Sequence, residues 1–548
     1  MRSIQYSLLS LSLGLLASCS VSVPDDAVRN GRKAVIFPEY DDAVIPPNIA
    51  PLNFLIEDVA DSYITRIYTA SGQVESVVEG KQVEIPEDEW HSLLAAAKGD
   101  TLFTDVYMRT AGKWYVCATR KNPVAQEDID PYITYRLIEP SYVDYEEMTL
   151  NQRNLTNFEE VRIYNNMRLS DGDNGQCINC HAVQNYNRSG RAQFHVRQNM
   201  GGTVLTDGKN VRKVNLKTEQ TLSAGVYPAW HPVRNLIAYS VNETGQVFHT
   251  RDLQKVEVID MASDLILYDA DSDKVYDIDR RADEFETFPA WSPDGRTLYY
   301  VSAHYEQQTA DIDAELGLNY EQLKYDIYRR PFDEQTLKFG DQDTVFAASR
   351  MGKSAVLPRI SPDGRYLLFA MADYGNFHVW HKSSDLYVMD LKRWETRSSS
   401  ASSDSLSAND YVYPLTEANS KFSESYHSWS SNGRWILFSS RRMDGNYTRL
   451  FISYFDKDGH AHRPFVVPQK HPKYYHQQFK SYNVPEWMVA PVKPSLSDYT
   501  DAIRKEAVPA TYGGSSLLVP QTSDVSVQHK SVDASSGASS RAGSRVGY

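Results

Sequence analysis

The hydrophobic positions of this chain fall into four regimes. The first is an almost unbroken apolar run from Leu8 to Leu16, preceded by Arg2; no comparably long apolar run follows it. The second is short alternation. Thr101 to Arg109 alternates apolar and polar positions, Ala111-Gly112 interrupts, and Lys113 to Ala118 resumes, which predicts a β-hairpin. Several such strands between Ala34 and about Pro140 predict a β-sandwich of immunoglobulin-like type. In the third regime Leu150, Leu155, Phe158, Val161 and Tyr164 recur at near-helical spacing and predict a short amphipathic helix. The fourth is a repeat. Tyr227-Pro228-Ala229-Trp230, Phe288-Pro289-Ala290-Trp291, Leu357-Pro358-Arg359-Ile360 and Tyr426-His427-Ser428-Trp429 occupy equivalent places, 61, 69 and 69 residues apart.

Each copy continues into a turn such as Ser292-Pro293-Asp294-Gly295 and then an apolar strand. Proline presets φ at the first corner and glycine takes the left-handed position. A second strand pair follows each copy, for example Ser263 to Tyr268 and Ser384 to Met389. Four strands per unit, repeated radially, make a propeller blade. The copies resemble the TolB-like β-propeller repeat over roughly residues 201–470. Gly202 to Leu205 and Val211 to Asn215 have the pattern of the closing strands of a further blade, so five or six blades are expected.

Composition narrows the field. The 548 residues include 71 acidic and 57 basic side chains, a net charge of −14, and this argues against nucleic acid as a partner. Thirty-six Tyr, 19 Phe and 9 Trp suit a strand-rich fold. Only four cysteines are present, at 19, 117, 177 and 180, too few for a disulfide framework.

Cys19 ends the segment Leu16-Ala17-Ser18-Cys19, which resembles a bacterial lipoprotein signal. The resemblance implies cleavage before Cys19, acylation of its thiol, and a lipid anchor that needs no transmembrane helix. An ordinary secretory peptide is the plainer reading. Cys177-Ile178-Asn179-Cys180-His181 matches the c-type haem attachment pattern. On one helical turn, two thiols three positions apart would reach two vinyl groups, and the adjacent imidazole would come under the iron. His195 is the first choice for the distal ligand, ahead of Met200 and Met167, and Arg191 and Arg197 are candidates for the propionates. A vestigial or metal-binding motif and a strained Cys177–Cys180 disulfide are the alternatives. Cys117 is expected to be a small buried hydrophobe.

The expected organisation is a mainly β chain: signal peptide 1–18, tether 19–33, β-sandwich 34–148, helical c-type haem segment 149–200, TolB-like propeller 201–470, C-terminal extension 471–512 and disordered tail 513–548. Taken together it resembles lipoproteins of Bacteroidota that join a Cys-x-x-Cys-His motif to a TolB-like propeller. That resemblance implies a lipid-anchored protein of the cell envelope, at the outer membrane, with the face left open. It would carry one covalent haem c and pass electrons to an envelope redox partner docked on the propeller. The alternative is a non-enzymatic scaffold or binding lipoprotein in which haem is structural or absent. An oxidoreductase with a second cofactor ranks last, and no Gly-x-Ser-x-Gly elbow supports a hydrolase.

Overall fold

The computed structural model describes residues 21–139, 147–170, 175–252, 254–309, 311–399 and 411–517. Cys19 lies outside them, as does most of the stretch 513–548. The described chain is mainly β and forms several sheets.

The N-terminal unit is a six-stranded sheet with a helix packed on it. Thr101–Thr110 lies at its centre, flanked by Ser62–Thr69 and Lys113–Val116. The expected hairpin is present, and both Ala111 and Gly112 take positive φ. A smaller sheet joins Ile36–Phe37, Phe54–Ile56 and Gln82–Val83. The helix Glu87–Ala97 was not expected; it buries Trp90, Leu93, Leu94 and Ala97, one face at helical spacing. Its packing against the large sheet replaces the immunoglobulin-like sandwich predicted for 34–148. Cys117 is buried as expected.

The rest of the described chain is organised around six strands, labelled here β1 (Gln176–Val183), β2 (Val226–Trp230), β3 (Glu284–Trp291), β4 (Ser354–Ile360), β5 (Glu424–Trp429) and β6 (Ser481–Met488). Each begins a run of four mainly antiparallel strands. They pack in a cycle, each against the next, with β6 returning to β1. Three neighbours of β6 come from the other end of this region: it pairs with Tyr132–Ile138, which pairs with Thr149–Asn154 and then Glu160–Asn165. A strand from residues 481–488 therefore completes a sheet begun 340 or more residues earlier.

Three expectations are corrected here. Residues 149–200 are not helical: Thr149–Asn154, Glu160–Asn165, β1 and Arg191–Gln198 are strands, with only single 3-10 turns between them. The spacing of Leu150, Leu155, Phe158, Val161 and Tyr164 spans two strands and a bend, and buried positions on two strands mimicked a helical period. The segment 471–512, expected as an ordered extension packed against the rest, is instead part of the cycle itself, because β6 is the inner strand of a sheet. Residues 513–517 do not belong to a disordered tail, since Thr511–Ser515 pairs with Lys274–Asp279; the rest of the tail expected from 513 lies outside the described residues. Gly513 permits this approach; a Cβ there would sit 2.4 Å from the Tyr276 ring.

Candidate functional site

The six inner strands share one local device. Cys180, Tyr227, Phe288, Leu357, Tyr426 and Val484 all have φ between 45° and 57°. The ladder register shifts at that point in all six strands. A left-handed non-glycine residue costs about 1–2 kcal/mol, so six at one register mark a built-in β-bulge. Proline follows the bulge in four strands, at 228, 289, 358 and 485; His181 and His427 follow it in the other two. Two positions further on, Trp291, Trp429 and Trp487 donate their indole N–H groups to the carbonyls of Ala229, Arg359 and Ser428 on the preceding inner strand, at 3.0, 3.1 and 3.3 Å. These three tryptophans thus tie neighbouring inner strands together, while the Trp230 indole has no partner among the described residues.

The Cys-x-x-Cys-His motif is the β1 copy of this device. His427 Nε2 lies 2.7 Å from the Leu357 carbonyl, at the bulge of the preceding strand. The equivalent bulge residue for His181 is Val484, whose backbone, with that of Thr134, favours the imidazolium. Among the described residues neither ring nitrogen of His181 has a hydrogen bond of good geometry. Burial dominates, aided by the Arg136 charge, and holds His181 down to about 3; burial also takes His195 and His427 to about 3. These rings are neutral at pH 7.

Pleating separates the two thiols. In a strand, positions three apart lie on opposite faces, whereas in a helix they share one. Cys177 is 2% exposed and faces the sheet that carries Arg136, and its sulfur accepts a hydrogen bond from Asn179 Nδ2. Cys180 lies toward Tyr227 and Tyr239 on the other side. His195 stands opposite Asn179 in the ladder, with Nδ1 3.1 Å from Thr203 Oγ1. Met167 and Met200 are exposed surface residues. Arg197 is opposite Cys177, and Arg191 pairs with Asp207. The cavity at His181 is about 20 Å³, room for about one water. As folded, these residues do not fit a covalent porphyrin, which needs both thiols and the imidazole on one side of a slot. Among the described residues no group of three or more His, Cys, Asp or Glu side chains is placed to hold a metal ion.

A second opening, wider than the cavity at His181, is a funnel of about 370 Å³ to which all six inner strands contribute. The position after each proline or histidine faces it: Ala182, Ala229, Ala290, Arg359, Ser428 and Glu486. Three of these are small and apolar, so the charged pair stands out. Among the described residues the Arg359 side chain makes one hydrogen bond, from Nη1 to the Pro358 carbonyl at 3.3 Å, and no carboxylate lies within 4.0 Å of it. Glu486 accepts the Val183 N–H at 3.0 Å. Burial pushes Glu486 up to about 7, and the nearby Arg359 charge only partly offsets this. Arg188 stands exposed at the rim, over the Tyr186 ring. Sequence reasoning missed Arg359 and Glu486. The signal was present: each replaces a small residue at one position of a sixfold repeat.

No protein-family model matches the chain, and no curated protein does. Solved structures of similar fold include the tricorn protease, at 12% identity and TM-score 0.32, covering 67% of this chain and 34% of that one. Others are an oligogalacturonate lyase in complex with manganese, at 13% identity and TM-score 0.32, covering 78% and 99%, and prolyl oligopeptidase B from Galerina marginata, at 10% identity and TM-score 0.33, covering 77% and 55%. The chain spans about a third of the length of the tricorn protease it matches.

Proposed function

We propose that this chain is an exported, lipid-anchored binding protein built on a six-bladed, TolB-like β-propeller, with its ligand held in the central funnel. The observation that carries the reading is the cycle of six inner strands, all of which line one cavity of about 370 Å³. Preformed concave sites of this size with a few convergent polar groups are where small ligands bind. Export and acylation of Cys19 rest on the signal-like N-terminus, and no described helix is long and apolar enough to cross a membrane. The funnel is tested by ligand-observed NMR with a fragment mixture, comparing the wild type with Ala229→Trp, which fills the opening. Fragments lost in the variant support the reading; a set of hits unchanged by it removes the funnel from consideration. Labelled palmitate incorporated by the wild type and absent from Cys19→Ala tests the anchor.

The rival reading is a c-type haem protein that passes electrons within the envelope. Two features favour it: the complete motif, and an imidazole at His181 whose ring nitrogens have no hydrogen-bond partner. It requires β1 to leave its sheet, so that Cys177 and Cys180 share a side. Co-expression with a cytochrome c maturation system, followed by haem staining of a denaturing gel, separates the two. Colour that survives denaturation and disappears in Cys177→Ala/Cys180→Ala establishes the rival; a colourless band leaves the binding protein.

A further inference from the structure

We infer that the funnel takes a ligand bearing a carboxylate, with Arg359 as its anchor and Glu486 as a second, proton-dependent contact. This rests on reading the funnel as the ligand site and goes beyond it by naming the chemistry recognised there.

The argument starts from a charge without a partner. The chain carries 14 more acidic than basic residues, yet Arg359 faces a cavity with no described carboxylate within 4.0 Å. Other enclosed arginines have partners: Arg330, Arg442 and Arg365 pair with Asp279, Glu424 and Asp390, while Arg136, Arg153 and Arg441, which touch no described carboxylate, donate to side-chain amide or backbone carbonyl oxygens. A half-buried arginine whose neighbouring carboxyl, Glu486, lies beyond contact distance and is held toward its neutral form loses hydration that this neighbour only partly replaces. Its planar donor pair matches the two oxygens of a carboxylate.

The other walls agree. Ala182, Ala229 and Ala290 leave the opposite side open and apolar, suited to a short hydrocarbon body. Arg188 at the rim adds positive charge on the entry path. Glu486 could oppose an anion, and its protonation decides the matter. The groups around it are Arg359 from β4, Arg188 and Tyr186 from the turn after β1, and Asp130, which is held by two bonds from Ser431 at 2.6 Å. Among the described residues its only side-chain hydrogen bond comes from the Val183 N–H. Burial holds the carboxyl proton up to about pH 7. Below that pH Glu486 is a neutral donor able to bond the ligand carboxylate; above it, Glu486 is an anion that repels the same group. Affinity therefore falls as pH rises through about 7.

The test uses the full-length protein and three probes of one shape: adipate, the uncharged adipamide, and the cationic 1,6-diaminohexane. Binding is read by tryptophan fluorescence, because Trp230, Trp291 and Trp429 surround the funnel. Adipate is expected to bind, about 10- to 100-fold more weakly in Arg359→Gln, and to show no binding in Ala229→Trp. Its affinity should drop between pH 6 and pH 8 in the wild type and stay level in Glu486→Gln. A tripeptide with a free C-terminus, set against its C-terminal amide, separates a peptide-end ligand from a small acid. If adipamide or the diamine binds as well as adipate, with Ala229→Trp blocking both, the carboxylate inference falls while the funnel remains a site. If adipate binds equally to Arg359→Gln, Arg359 is not the anchor. If none of the probes binds the wild type, the inference is overturned, and the fragment comparison alone decides the funnel. Melting curves of Arg359→Gln and Arg359→Lys check folding; partial recovery in the lysine variant fits an anchor that needs positive charge.

Discussion

His181 shows how one residue type supports two opposed readings. In the sequence it completes a haem motif; in the fold it occupies a slot that prolines fill in four of six repeats. The slot lies within a bulge, where the ladder is interrupted, so the missing N–H of a proline costs little. The histidine also leaves two buried ring nitrogens without partners, a penalty a proline would remove. His181→Pro is accordingly expected to fold with a stability within about 1 kcal/mol of the wild type by urea denaturation. The same buried rings make the protein sensitive to acid. The folded state holds His181, His195 and His427 down to about 3, below the 6.5 of a free histidine. Between these values the unfolded chain binds more protons, so this contribution is complete above pH 6.5 and is lost as pH falls toward 3. Glu486, raised to about 7 from 4.5, acts in reverse and loses its contribution as pH rises through 7. His427→Gln isolates the histidine effect, since an amide can still donate to the Leu357 carbonyl. Its melting temperature should fall less than that of the wild type between pH 6.5 and pH 4.

At the scale of the strand, the repeat was legible because three tryptophans and an isoleucine return at near-constant intervals. The fold gives a reason at two of the three: the N–H groups of Trp291 and Trp429 reach the carbonyls of the preceding inner strand, whereas the Trp230 indole has no hydrogen-bond partner among the described residues. Trp429→Phe keeps most of the ring but strands the Arg359 carbonyl. The expected loss is about 1–3 kcal/mol in chemical denaturation, without loss of fold. A loss no larger than that of an exposed surface substitution would show that the indole bond contributes nothing. Two copies of the repeat were not legible, for different reasons. Val484-Pro485-Glu486-Trp487 carries the full pattern, but its strand partners lie near residue 135, and no local periodicity reveals a pairing over that distance. Cys180-His181-Ala182-Val183 keeps only the backbone conformation and has neither proline nor tryptophan. Its chemistry-bearing residues pointed to a helix, which would have set both thiols on one face. A strand of the same sequence sets them apart, so the functional reading of the motif turns on secondary structure that its own spacing does not determine.

For the whole molecule, the decisive feature is how the cycle closes. Had the propeller ended near residue 470, as the repeat alone indicates, the strands from 201 onward would form a self-sufficient unit. Instead β6 pairs along most of Tyr132–Ile138 and brings Trp487 and Met488, 1% and 0% exposed, into two separate cores. Its removal would open the cycle between β5 and β1, strip the backbone partners from Tyr132–Ile138, and expose apolar surface on both sides. Each large buried side chain lost from such a position costs about 2–5 kcal/mol, comparable to the whole stability of a domain when several go together. A chain ending at Lys480 is therefore expected to lose cooperative thermal unfolding and its near-ultraviolet circular dichroism, although every strand between 201 and 470 remains. Adding a peptide that spans residues 481–517 should restore both signals, because the vacant place is a strand edge ready to accept one. A truncated chain that melts as sharply as the full one would mean that β6 only decorates the fold. In that case the funnel, which takes Glu486 from β6, could not be a fixed site.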